Sequence, residues 1–179
     1  MAEDNGKTYS FNVCSQCKTI CCQDAKPPLT ENRKKTIKKY LTEQKISLKA
    51  PFAKEAYSYP AVDSEVYCRL FSKKTGKCMV HPVKPETCVS GPITFDINLK
   101  TKKIEYFLKM TEICAYAGVL FEDKPVFEVH LEAAKPELMR LICELGADEL
   151  RAIVKIDEPK TFKVAEDPLP QSVIKKLGL

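Results

Sequence analysis

The chain has 179 residues, 44% of them apolar and 30% charged, with a net charge of +5. That length suits one domain with a real buried core, and the composition excludes wholesale disorder. No stretch approaches the roughly 20 apolar residues of a membrane span, and the polar start Met1-Ala-Glu-Asp-Asn-Gly-Lys lacks the apolar region of a secretion signal. A cytoplasmic protein is expected, with no membrane association. In that compartment the nine cysteines point to metal or redox chemistry, and an odd number of them fits a disulfide framework badly.

From the N-terminus, Tyr9-Ser-Phe11-Asn-Val13 reads as an extended lead-in to a nest of four thiols, Cys14, Cys17, Cys21 and Cys22. Lys26-Pro27-Pro28 closes the nest, because proline prevents a helix from starting there. Thr30 then caps a predicted helix from Glu31 to Gln44, with Ile37, Tyr40 and Leu41 on one face. Arg33, Lys34, Lys35, Lys38 and Lys39 occupy the other face, which is either solvated or a contact for an acidic partner. Residues 50–63 form a proline-punctuated connection. Val66 to Phe71 reads as a strand, Ser72 to Lys77 as a turn with Gly76 at its tight point, and Cys78 to His81 as the returning strand. Lys74-Thr75-Gly76-Lys77 is not a phosphate loop, since the glycine-rich run opening a helix is missing.

Pro82, Pro85 and Pro92 bracket Cys88 in a stiff loop. A second hairpin follows, with Ile93, Phe95, Ile97 and Leu99 alternating on one strand and Ile104, Tyr106 and Leu108 on the next. Such alternation predicts a sheet with one buried face. Cys114 lies just beyond it. Pro136 is expected in the first turn of a helix carrying Leu138, Leu141, Ile142 and Leu145, with Gly146 as its stop. Asp148 to Val154 predicts a short helix. Glu158 to Leu179, with three prolines, reads as a tail that is mobile or docked on a partner and ends in a turn of helix at Ser172–Leu177. The expected fold class is α+β: small antiparallel hairpins and cysteine-rich loops around a metal centre, with flanking helices. Residues 1–125 are expected to form the metal-binding domain and 126–179 a helical extension and tail.

The chemistry rests on the thiols. Cys14 and Cys17 have the spacing at which two thiolates turn toward one metal. Adjacent residues in extended backbone point to opposite sides, so Cys21 and Cys22 are read as serving different metals or different corners of a polynuclear centre. Cys68, Cys78, Cys88 and Cys114 each sit at a strand end or in a loop, which makes eight candidate ligands with the nest. Cys143, at the edge of an apolar helical face, is read as a packed core residue. His81 is a candidate ligand or supporting group beside Cys78, His130 is read as structural, and Asp63 and Asp96 are candidate carboxylate ligands.

Phe11-x-x-Cys14-x-x-Cys17-x-x-x-Cys21-Cys22, then Cys68, Gly76-Lys77-Cys78-Met79-Val80 and Pro85-x-x-Cys88, resembles the YkgJ-type cysteine-cluster family, described as a zinc- or iron-chelating domain. The resemblance covers residues 9–116 and maps the family's cysteines onto Cys14, Cys17, Cys21, Cys22, Cys68, Cys78 and Cys88, with Cys114 as the last member. Two departures stand out. The family carries Arg-Pro where this chain has Lys84-Pro85, and Cys-Arg with an aromatic-Pro where this chain has Cys88-Val89-Ser90-Gly91-Pro92. A guanidinium beside the metal therefore does not carry over from the family.

The first expectation is an iron–sulfur or multinuclear iron protein, acting in electron transfer or as an accessory to another enzyme. The alternative is a zinc-stabilised interaction module. A third option is a metalloenzyme modifying a peptide or small substrate, since some relatives resemble lysine methylases; His81 or Asp96 as a ligand favours it. A protein partner is expected at helix 31–44 or at the C-terminal tail. Nucleic acid is not expected, because no aromatics interleave with the basic residues.

Overall fold

A computed structural model describes residues 21–23, 25–154 and 160–179. The α+β expectation holds: six helices and three small antiparallel sheets alternate along the described chain. None of the described helices is long and apolar enough to cross a membrane. Cys14, Cys17 and the lead-in at 9–13 lie outside the described residues.

Helix α1 spans Glu31–Glu43, and the Thr30 hydroxyl caps it by accepting from the Arg33 N–H at 3.0 Å. Ile37 and Leu41 are buried on its inner face as the periodicity predicted. Its basic face divides. Arg33 turns inward to Glu86 and Glu137, and Lys34 pairs with Glu31 and with the Ser58 hydroxyl. Lys35, Lys38 and Lys39 stay exposed. The connection after it contains a hairpin not predicted from the sequence: β1 (Phe52–Lys54) pairs with β2 (Ser58–Pro60), Phe52 opposite Pro60. Pro60 ends the strand, where a missing N–H costs little.

The hairpin predicted over 66–81 is shorter than expected. Only β3 (Phe71–Ser72) and β4 (Lys77–Cys78) pair, around Gly76 at φ +67°. A 3-10 turn at His81–Val83 leads to a short helix, α2 (Glu86–Ser90), where the prolines had implied a stiff loop.

The sheet–helix half follows. Strands β5 (Ile93–Asn98) and β6 (Lys103–Lys109) pair with Ile97 opposite Ile104, and Ile93, Ile97, Ile104, Tyr106 and Leu108 are buried. Leu99 falls in the turn and is exposed. Helix α3 (Ala115–Glu122) and a 21-residue helix α4 (Lys124–Glu144) come next. The Asp123 carboxylate caps α4 by accepting from Val126 at 3.3 Å, and Pro125 occupies its first turn. The start predicted at Pro136 is therefore wrong by three turns. An interior proline costs roughly 3 kcal/mol, but Leu131 and Ala134 extend the buried stripe of Leu138, Leu141 and Ile142 backwards, and burying one leucine offsets about 2 kcal/mol of that.

Helix α5 (Ala147–Ile153) is the predicted short helix. The expected tail is instead a strand: β7 (Thr161–Pro168) pairs along β6, Leu108 opposite Phe162 and Ile104 opposite Asp167. Pro168 is the last residue of this edge strand, opposite Lys103, and Pro170 lies beyond it, positions where a missing N–H does not prevent pairing. Helix α6 (Gln171–Leu177) ends at Gly178, in the left-handed conformation at φ +74°. Residues on both sides of position 125 thus share one core.

Candidate metal centre

Backbone pairing first brings the cysteine segments together. The Cys68 N–H donates to the Cys22 carbonyl at 2.7 Å, Gln23 bridges to Tyr67, and Val62 bridges to Cys68. Phe71 then pairs with Cys78, so three thiols arrive on one small framework. The loop before Cys68 is wound around Asp63, whose Oδ1 accepts from the N–H groups of Glu65 and Tyr67, both at 2.9 Å. Its other oxygen meets Lys73 Nζ at 2.7 Å, and that ammonium stands 4.7 Å from the centre of the Tyr67 ring. Asp63 is therefore a loop organiser here. Val66 takes φ +59° in this loop, a region that costs a β-branched residue of the order of 1–3 kcal/mol. Three hydrogen bonds to Asp63 hold it there.

Cys88 arrives on α2, and polar contacts hold that helix at both ends. At its start the buried Glu86 accepts from the Thr30 hydroxyl at 2.8 Å, with Arg33 Nε 3.5 Å from the same oxygen. Burial pushes the Glu86 carboxyl up, against the backbone, Thr30 and Arg33, which pull it down. At its end His130 Nε2 lies 3.1 Å from the Ser90 carbonyl. A carbonyl only accepts, so that nitrogen carries the proton. Burial holds the His130 imidazole below its ordinary range.

The thiols then act on one another. Cys21 and Cys22 hydrogen-bond to each other, which pulls the Cys21 thiol down and pushes the Cys22 thiol up. The ammonium groups of Lys109 and Lys84 also favour the Cys21 thiolate. Burial pushes Cys68 up to about 11 and Cys88 up to about 12, with charge on neighbouring cysteines adding to both. Cys78 is raised by burial as well. Cys21, Cys22, Cys68, Cys78 and Cys88 are thus near enough to feel each other's charge. Even so, among the described residues no three His, Cys, Asp or Glu side chains stand in ligating geometry. The five thiols share a neighbourhood without forming a coordination polyhedron.

Cys114 comes from the other side, half-buried where β6 hands over to α3, five residues after the Lys109 that faces Cys21. Gly118 brings α3 close to this segment: a Cβ there would meet the Thr111 hydroxyl at 2.9 Å. Cys143 packs beside the sheet–helix core, as read from the sequence. His81 opens the 3-10 turn after Cys78, and burial lowers its imidazole. Asp96 is exposed on β5 opposite Glu105, where its Oδ1 accepts from Ile97 at 2.7 Å.

One premise of the sequence reading falls. Residues 21 and 22 lie in a turn, not in extended backbone, and their sulfurs meet. The opposite-sides argument for separate metals does not apply to them. Four groups with structural claims on the site were missed: Lys84, Lys109, Arg33 and Glu86. Nothing local distinguishes Glu86 beyond its place two residues before Cys88. Arg33 was read with the basic face because its periodicity put it there.

Soft thiol donors are what zinc and iron centres take, so the residues present fit such a group. The sequence pattern of the CxxCxxCC family, described as a zinc- or iron-chelating domain, matches residues 13–115. The gap between Cys17 and Cys21 is one residue wider here than the family's name writes it. No match was found among curated proteins, and none among solved structures. The match spans more than half of the chain and takes in all eight of its candidate cysteines, and the chain accordingly belongs to the CxxCxxCC family of zinc- or iron-chelating domains.

Proposed function

We propose that this chain carries an iron–sulfur cluster or a multinuclear iron centre and serves in electron transfer or as an accessory to another enzyme. Its ligands are drawn from Cys14, Cys17, Cys21, Cys22, Cys68, Cys78, Cys88 and Cys114. The observation that carries the reading is the backbone pairing that gathers Cys22, Cys68 and Cys78 on one framework, with Cys21 next in sequence and Cys88 near enough to feel their charge: five described thiols where one tetrahedral zinc ion takes four. Such a group would supply one-electron chemistry when bound. The chain's own contribution is the thiols, the burial of Cys88 and Cys68, and the two ammonium groups that offset accumulated negative charge. Cys21 is exposed, which leaves one edge of the centre open to an electron-transfer partner.

A zinc-stabilised interaction module is the second reading, favoured by the small apolar core beneath the cysteine loops, which leaves work for a structural ion. In that case the exposed Lys35, Lys38 and Lys39 of α1 are the contact for an acidic protein partner.

Anaerobic purification followed by visible absorption and assays of iron, zinc and acid-labile sulfide separates the two. A brown protein with iron and sulfide is expected. A colourless, sulfide-free protein holding only zinc overturns the iron reading and leaves the module.

A further inference from the structure

We infer that Glu86 and His130 are positioning residues for Cys88: together they latch the one short helix that delivers this ligand. The inference rests on the metal-centre reading above and goes beyond it in naming what sets the ligand's place.

Helix α2 has only the five residues Glu86–Ser90, too few to hold its own shape in water. Its first residue reaches into the interface with α1. There Glu86 Oε1 takes the Thr30 hydroxyl at 2.8 Å and lies 3.5 Å from Arg33 Nε. Oε2 is buried and has no hydrogen-bond partner among the described residues. The same Arg33 reaches on to Glu137 of α4 at 2.6 Å. Thr30 is itself the cap of α1, so one hydroxyl ties the start of α1 to the start of α2. At the other end His130, also on α4, donates to the Ser90 carbonyl at 3.1 Å, and the Ser90 hydroxyl returns to the Glu86 carbonyl at 2.7 Å. Cys88 sits midway between these two fixings. Each fixing is directional, whereas apolar packing alone would let so short a helix rotate about its axis. A rotation of that kind moves a sulfur by an ångström or more, which a metal–thiolate bond does not tolerate.

Glu86→Ala removes the first fixing. Glu86→Gln keeps the acceptor for Thr30 and drops the charge facing Arg33. His130→Ala removes the second fixing, and His130→Gln restores an N–H for Ser90. Glu137→Ala is the control, since it takes the other carboxylate from Arg33, and the polar partners of Glu137 are Arg33 and Arg140, neither of them on α2. Two measurements are made on the full reduced chain: hydrogen exchange of the amides at 87–91 without metal, and release of added zinc(II) to a chromogenic chelator. We expect Glu86→Ala and His130→Ala each to speed both about tenfold, Glu86→Gln about threefold, and His130→Gln to return near wild type. Glu137→Ala is expected to lower Tm while leaving both readouts within about twofold.

The inference is overturned if both readouts track Tm across all variants, or if exchange at 87–91 is unchanged in His130→Ala and Glu86→Gln. Exchange needs no metal, so it decides the latch even where the wild-type chain takes up no zinc, an outcome that counts against the zinc module and leaves the iron centre to the iron and sulfide assay.

Discussion

The described residues form two cores of very different size. Sixteen buried residues fill the space between the three-stranded sheet and helices α4, α5 and α6. Under the cysteine loops there are five: Leu29, Ile37, Leu41, Leu70 and Val80. The larger core follows the ordinary rule that apolar burial offsets chain entropy. Around the smaller one, directional contacts add to apolar burial: the Asp63 loop, the Arg69 guanidinium on the carbonyls of Lys49 and Val62, and the polar fixings of α2. Small domains that cannot bury enough apolar surface commonly recruit a metal. Cys68 and Cys78 pack against the smaller core, the one that a bound metal would help most, and Cys114 packs against the larger.

Removing metal should separate the two halves most sharply. With a strong chelator present, the amides of residues 61–90 should exchange on the order of a hundredfold faster while those of β5, β6 and α4 stay protected. Hydrogen exchange followed by mass spectrometry checks this. Uniform loosening would mean that the two cores are one cooperative unit.

A truncation in the larger core comes next. Leu138→Ala, at a fully buried position, should cost about 3 kcal/mol in denaturant unfolding and leave the metal content of the remaining folded protein unchanged. Metal loss in step with that destabilisation would erase the division. On the other side, Cys88→Ser should lower metal content and Cys143→Ser should not, because Cys143 lies outside the residues that the family pattern matches. Equal metal in the two variants would remove Cys88 from the ligand set.

The smallest effect tests the seam between the halves. Gly118→Ala places a methyl against Thr111 and should cost about 1 kcal/mol, with Thr111→Ala in the same chain recovering most of it. A difference in Tm between the single and double variants checks this. A fully additive pair would show that the contact does not hold the segment leading to Cys114.

The same contrast decides how much could be read from sequence. The β5–β6 hairpin was legible because alternating residues share a buried face, and α1 was legible because Thr30 and the Ile37–Leu41 spacing agree. The cysteine roster was legible from spacing and order. What escaped needed distant partners. Strand β7 is called into being by the open edge of β6, more than fifty residues earlier, and its prolines disguised it. The early start of α4 was signalled by Asp123 and Pro125, which the prominence of Pro136 obscured. Lys84 and Lys109 look like ordinary surface lysines until the fold brings their charge within reach of Cys21.

Strand β7 has a consequence for how the molecule is made. A chain grows from its N-terminus, so every candidate ligand from Cys14 to Cys114 emerges before Thr161–Pro168 can close the sheet. For that interval the nascent protein carries its thiols without the finished platform that later supports α2 and His130. Its most reactive moment is therefore its synthesis, when oxidants and stray metal ions compete for sulfurs that the completed fold would already have claimed.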